Sequence, residues 1–148
     1  MKKQKICIIG NGLTGLTAAL VLSELNLEVD LIAKFKSKQE FLDNRTTAIS
    51  PSNYDFLLKF LDNKDSKLFW PSTKIDLYHE ESGQYHHFMN FERNGKNLMY
   101  IVQNSKLIKI ILKKIKNQKK VKIINTEVKK VDEKKSAVFL KNKNLSLK

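Results

Sequence analysis

Six residues near the start constrain the fold more than any others: Gly10-Asn11-Gly12-Leu13-Thr14-Gly15. A G-x-G-x-x-G spacing carries little information by itself; its flanks decide what it means. Ahead of it lies Ile6-Cys7-Ile8-Ile9, a short apolar run that reads as a strand buried on both faces. Behind it, Leu13, Leu16, Ala19, Leu20 and Leu25 recur at helical spacing and predict a helix over 13–25, with Asn26 as its stop. Residues 27–33, with Val29, Leu31 and Ile32 apolar, predict a second strand. Strand, glycine turn, helix and strand make a βαβ unit of the α/β class.

In that context each glycine has its own task. Gly10 allows the tight turn. Gly12 lets the backbone approach a pyrophosphate, where a Cβ would collide. Gly15 lets the helix lie close on the strands. The helix N-terminus, through Asn11, Leu13 and Thr14, offers free N–H groups and partial positive charge to phosphates. A ligand-free βα turn of the flavodoxin-like kind is the alternative. One expected part is missing. The end of the second strand normally carries an acid for the ribose hydroxyls. Here it reads Leu31-Ile32-Ala33-Lys34, and Glu28 and Asp30 come too early. Lys34 either favours a 2′-phosphate or is a solvated side chain.

Beyond the βαβ unit, residues 34–44 read as a polar loop. Pro51 suits the first turn of a helix over 51–61 capped by Ser50. Trp70-Pro71 reads as a break. Residues 74–78 and 85–91 predict a strand pair around Gly83. Residues 104–116 predict a helix with Leu107, Ile108, Ile111, Leu112 and Ile115 on one side, of which Leu107, Ile111 and Ile115 pack inward. Residues 121–125 predict a buried-type strand, and 127–131 with 137–140 a further hairpin. The expected organisation is a nucleotide-binding body over 1–71 and 97–148, interrupted by a β-rich insertion over 72–96.

The net charge of +13 is unevenly placed. From Lys106 to Lys148 there are 15 lysines against Glu127, Asp132 and Glu133, while residues 1–105 hold 13 basic and 12 acidic residues. Compositional drift accounts for this excess. The lysines are not interleaved with aromatics and lack the arginines that read base edges, so no nucleic acid is expected as a partner. Weak attraction to an anionic membrane surface fits the same charge. Cys7 is the single cysteine, which excludes an internal disulfide and a cysteine-type metal site. No apolar run is long enough to span a bilayer, and no signal-peptide cleavage pattern follows Leu22, so a cytoplasmic location is expected. His79, His86 and His87 read as surface histidines, and no metal is expected. Glu80 and Glu81 are neighbours that point apart on a strand, which argues against a carboxylate dyad. Phe69, Trp70 and Tyr78 read as core or seam packing, and Cys7 as an inert buried thiol.

Asp43-Asn44-Arg45-Thr46-Thr47-Ala48-Ile49-Ser50 is a D-x-R-x-x-A-L/I-S segment. Placed shortly after the second strand, it resembles the ubiquinone-biosynthesis flavin hydroxylases, a branch of the aromatic-hydroxylase flavoprotein monooxygenases. A second strand ending Leu-Ile-Ala is familiar within that branch. Met99-Tyr100-Ile101-Val102-Gln103-Asn104-Ser105-Lys106-Leu107 resembles its G-Y-V-V-E-N-x-x-L segment, departing in Met99 and Gln103. The resemblance implies a Rossmann-like FAD-binding fold whose β-rich insertion begins a substrate domain. It implies an enzyme that uses NAD(P)H, FAD and O2 to hydroxylate an aromatic, prenylated phenol. It also implies partners among ubiquinone-biosynthesis proteins and a peripheral position at the inner membrane face. By the same resemblance, Arg45 lies beside the FAD phosphates and ribose, and Gln103 approaches the flavin. A guanidinium forks onto phosphate oxygens better than an ammonium does. The family's later G-D-A-x-H-like segment has no counterpart here, and a typical member is more than twice as long. The chain is therefore expected to be an N-terminal portion that does not hydroxylate by itself. Two alternatives stay open: another FAD- or NAD(P)-dependent oxidoreductase, and a catalytically incompetent nucleotide-binding fragment.

Overall fold

The computed structural model describes residues 4–25, 27–35, 44–132, 137–141 and 144–146. The expected helix stop Asn26, residue Asp43 of the arginine segment, most of the 34–44 loop and the tip of the last hairpin lie outside the described residues. The chain divides into two compact units. One comprises Met1–Asn44 and Asn104–Lys148, the other Arg45–Gln103.

The first unit is mixed α/β. Its centre is a parallel sheet of β1 (Lys5–Ile9), β2 (Glu28–Ala33) and β8 (Val121–Asn125) in the order β1-β2-β8. Helix α1 (Leu13–Glu24) connects β1 to β2, and α3 (Asn104–Lys116) runs into β8. The two helices pack against each other, and α1 lies on β1 and β2. Side chains alternate along a strand, and β2 shows the two resulting faces. Leu31 pairs in register with Ile8, whose Cγ2 faces Gly15 of α1. Ile32 points the other way. It joins Cys7 and Ile124 against Val138 and Leu140 of an antiparallel sheet. That sheet, in the order β11-β10-β9, consists of β9 (Val128–Asp132), β10 (Ala137–Leu140) and β11 (Asn144–Ser146). The unit therefore has three layers: helices, parallel sheet, antiparallel sheet. As the middle strand of the middle layer, β2 is buried from Val29 to Ala33. By contrast β1, which reads from sequence as doubly buried, is half-exposed, and Ile9 is 49% accessible. It stands at one edge of the three-stranded sheet.

Helix α3 keeps the pattern its sequence predicts. Leu107, Ile111 and Ile115 are buried, whereas Lys109, Lys113 and Lys116 are exposed. Burying two isoleucines and a leucine contributes about 1.5–3 kcal/mol each, which is what fixes the helix in place.

The second unit holds β3 (Thr46–Ile49), α2 (Pro51–Leu58), a 3-10 segment (Asn63–Leu68), β4 (Phe69–Ser72), β5 (Lys74–Glu81), β6 (Gln84–Glu92) and β7 (Met99–Gln103). Ser50 caps α2, its hydroxyl accepting from the backbone N–H of Asn53 at 3.3 Å, with Pro51 in the first turn. The helix ends three residues short of the expected Leu61. Strands β3, β7 and β4 form one antiparallel sheet. Trp70-Pro71 is thus part of a strand rather than a break. Pro71 is tolerated because β4 is an edge strand that, among the described residues, pairs only with β7. Tyr54 of α2 stacks on Tyr100 of β7 at 3.7 Å and meets Phe69 edge-on at 5.1 Å. Phe69 is buried, but Trp70 and Tyr78 are exposed, contrary to the expected packing role.

β5 and β6 pair only with each other among the described residues, as a hairpin separate from the parallel sheet. Ser82 and Gly83 take positive φ at its tip. One face carries Ile75 opposite Phe91 and Leu77 opposite Met89. The other carries Asp76, Tyr78 and His87, joined by a His87–Asp76 contact at 3.3 Å and a Tyr78–His87 edge contact.

Candidate nucleotide-binding site

The glycine turn lies at the carboxyl end of β1 and opens α1. The backbone N–H of Gly10 donates to the carbonyl of Ile32 at 2.9 Å, which ties the turn to the end of β2. Gly10 has φ +114°, a conformation that L side chains rarely adopt. The two remaining glycines differ sharply. A Cβ on Gly15 would sit 2.5 Å from the carbonyl oxygen of Gly10 and 3.6 Å from Ile8 Cγ2. The protein itself therefore demands glycine at 15, for close packing of helix on strand. A Cβ on Gly12 would meet no protein atom within 4 Å. The protein makes no demand for glycine there, and the turn leaves an open cradle above the Gly12 backbone.

Gly12 is also the N-cap of α1, with φ −68° and ψ 171°. Gly12 brings no side chain to cap the helix, and no acid occupies its first turn. The first N–H groups of α1 are thus presented beside that open space, together with the positive end of the helix dipole. Asn11 and Leu13 are half-buried, while Thr14 is exposed.

The adenosine side of the site differs from the usual pattern. Lys34, at the position after β2, has its ammonium bonded to the carboxylate of Glu127. Glu127 lies just past β8 and also faces Lys141 at 3.6 Å. The Lys34 hydrogen bond holds the Glu127 carboxyl below its ordinary range, with the charges of Lys34 and Lys141 adding to it. Lys34 is therefore paired with a carboxylate, while 61% of its side chain stays exposed. Glu127 is not apparent from sequence, because 93 residues separate the two partners.

Arg45 and Gln103 belong to the second unit, whereas the glycine turn belongs to the first. Gln103 pairs with Thr46 at one end of the β3–β7 ladder, and Arg45 is the next residue out. The antiparallel register thus brings these two to the same end of one sheet.

The other candidates remain apart from the turn. Asp30 is buried at 2%, and Lys5 Nζ lies 2.9 Å from its Oδ2, an ion-pair contact without hydrogen-bond alignment. Cys7 sits beside that pair. Partial burial pushes its thiol pKa up, Asp30 adds to the rise, and Lys5 opposes it. The three histidines are exposed, and no group of His, Cys, Asp or Glu among the described residues is placed to hold a metal ion. No helix among them is long and apolar enough to cross a membrane.

No family model matches the sequence, and no curated protein resembles it significantly. Solved structures do. A mutant of P. aeruginosa PqsL superposes with a TM-score of 0.74 at 18% identity, covering 98% of this chain and 41% of PqsL. The p-nitrophenol 4-monooxygenase PnpA from Pseudomonas putida DLL-E4 gives a TM-score of 0.70 at 18% identity, over 93% of this chain and 36% of PnpA. CtdE, solved in complex with FAD, gives 0.65 at 16% identity, over 97% of this chain and 36% of CtdE. The chain thus spans well under half the length of these structures. At such identities the likeness is one of fold: both units follow the same chain path as the corresponding parts of these proteins.

Proposed function

We propose that this chain is a Rossmann-like FAD-binding portion of an aromatic-ring monooxygenase, and that the ring belongs to a prenylated phenol of ubiquinone biosynthesis. The glycine turn carries the reading. Gly15 is explained by the protein's own packing, whereas a Cβ at Gly12 would meet open space, which leaves room for a ligand to come up to its backbone. In this reading, Gly10, Asn11, Gly12, Leu13, Thr14 and Gly15 cradle the pyrophosphate at the α1 N-terminus. Arg45 adds a forked cation for phosphate or ribose, and Gln103 a polar group toward the flavin. Residues 1–71 and 97–148 form the nucleotide body, and 72–96 begin the substrate domain. The fold shared with PnpA and with FAD-bound CtdE supports the assignment, as does the arginine segment.

When bound, FAD supplies electron transfer from NAD(P)H and activation of O2, so that one oxygen atom enters the ring and the other leaves as water. What this chain's own residues contribute is binding. The α1 N–H groups donate hydrogen bonds to the pyrophosphate, Arg45 adds positive charge beside it, and the turn fixes where the nucleotide enters. A runner-up is another FAD- or NAD(P)-dependent oxidoreductase, and a third reading is a nucleotide-binding module without catalysis. The decisive experiment is to purify the chain, titrate it with FAD and ADP by calorimetry, and record the flavin absorbance bands. Incubation with FAD, NADPH and a prenylated phenol, followed by mass spectrometry, then tests hydroxylation. Absence of any FAD or ADP binding would refute the reading.

A further inference from the structure

The end of β2 lacks the acid that normally binds the adenosine ribose, yet the fold delivers an acid to the same place from elsewhere. Ala33 pairs in register with Asn125 of β8, and the backbone N–H of Thr126 donates to the carbonyl of Ala33 at 3.1 Å. The backbone N–H of Phe35 donates to Asn125 Oδ1 at 3.0 Å. These bonds stitch the segment after β8 onto the end of β2, so that Glu127 lies beside Lys34. The glycine turn is fixed to the same edge through Gly10 and Ile32. Strands lie about 4.8 Å apart and residues about 3.3 Å along them. Glu127 is therefore two strands from the turn, roughly 10 Å across the carboxyl edge of the sheet. That edge is where nucleotides lie in open α/β sheets.

The side chain is suited to the role. Glu127 is 43% exposed, so its carboxylate reaches solvent, and Lys34 on one oxygen with Lys141 near the other restrains it. An ionised carboxylate is an acceptor only, which suits a pair of ribose hydroxyls. We propose that Glu127 replaces the missing strand-end acid and accepts the ribose hydroxyls of a bound adenosine diphosphate moiety, with Lys34 as the positioning residue that orients it. The proposal rests on the nucleotide reading of the glycine turn.

Calorimetry of the whole chain with ADP and with 2′-deoxy-ADP separates the two ideas. The wild type should prefer ADP by about tenfold or more, the scale of one hydrogen bond to a charged acceptor. Glu127→Ala should lower ADP affinity by that factor and erase the preference, with circular dichroism unchanged. Lys34→Ala should weaken ADP binding less and keep the preference. If Glu127→Ala binds ADP as the wild type does and still discriminates, the role assigned to Glu127 is wrong while the turn's role stands. If the wild type binds neither nucleotide, the turn's role fails and this one fails with it.

Discussion

The two glycines Gly12 and Gly15 should fail in opposite ways when each receives a methyl group. In Gly15→Ala, the new Cβ starts 2.5 Å from the backbone oxygen of Gly10. That is about 1 Å inside an ordinary van der Waals contact. A carbonyl in a hydrogen-bonded turn cannot swing aside as a flexible side chain can, so α1 must lift off β1. Overpacking of this kind costs about 1–3 kcal/mol, offset by up to about 1 kcal/mol from alanine's better helix propensity. A net loss of about 1–2 kcal/mol corresponds to a melting temperature lower by about 2–8 °C for a chain of this size. In Gly12→Ala, the new Cβ meets no protein atom within 4 Å, and the backbone at φ −68° is open to any residue. Replacing a glycine N-cap by alanine costs about 0.5–1 kcal/mol, so the melting temperature should fall by only about 1–4 °C for a chain of this size. FAD and ADP binding should nevertheless disappear, because the methyl fills the cradle. Thermal melts by circular dichroism and calorimetric titration of both variants provide the test. Undiminished nucleotide binding by Gly12→Ala would refute the reasoning about the turn, and full stability of Gly15→Ala would refute the packing argument.

Lys5→Ala leaves Asp30 buried without its cation and should cost about 2 kcal/mol, less than a fully buried pair because Lys5 is 31% exposed; urea denaturation reads it. Cys7 should react slowly with iodoacetamide at pH 7, and its rate should rise only above the ordinary thiol range, since burial raises its pKa. The Lys34–Glu127 pair has its carboxylate pKa lowered. It therefore stabilises the fold above the unfolded carboxylate pKa, and that contribution is lost as pH falls through the lower folded value; a denaturation series from pH 7 to pH 3 reads it against Glu127→Gln. Lys109→Gln/Lys113→Gln/Lys116→Gln should leave stability unchanged and lower any adhesion to anionic vesicles, whereas tight, sequence-selective DNA binding at physiological salt would overturn the reading of those lysines as a solvated face.

Local signals made much of the first unit legible. Each element of β1-α1-β2 declares itself within its own residues, through an apolar run, a glycine turn and a helical repeat. Helix α3 does so through the buried Leu107, Ile111 and Ile115. Where the deciding information is a partner strand, the sequence is silent. Thr46–Ile49 and Phe69–Ser72 are strands because both pair with β7. Alone, the first reads as an approach to Pro51 and the second as a proline break. The site divides the same way. The glycine turn is local and visible, but the acid facing the end of β2 comes from a distant segment through the β2–β8 register. No spacing rule on a single segment would point to Glu127.

The polarity of the parallel sheet explains why the basic excess and the glycine turn do not serve each other. Strand carboxyl ends and the N-terminus of α1 meet at the turn. The C-terminus of α3, carrying Lys113, Lys114 and Lys116 in its last turn, leads back to the amino end of β8. Cations at a helix C-terminus offset the negative end of its dipole, so those lysines have a local reason to be there. Lys119, Lys120 and Lys122 continue the same cluster. With Lys5, Glu28 and Asp30 they line a depression of about 470 Å³ where the parallel strands begin. Positive charge thus gathers at the opposite end of the sheet from the turn. At the turn's own end, among the described residues, Lys34 and Lys141 both face Glu127. In the proposed reading, phosphate at Gly12 is held by backbone N–H groups and the α1 dipole, with Arg45 beside it, rather than by the chain's net charge of +13. Helix-end dipoles at an exposed turn are themselves screened by salt, but they act through a few short contacts, so nucleotide affinity should fall less steeply with ionic strength than the binding of a polyanion at the basic end.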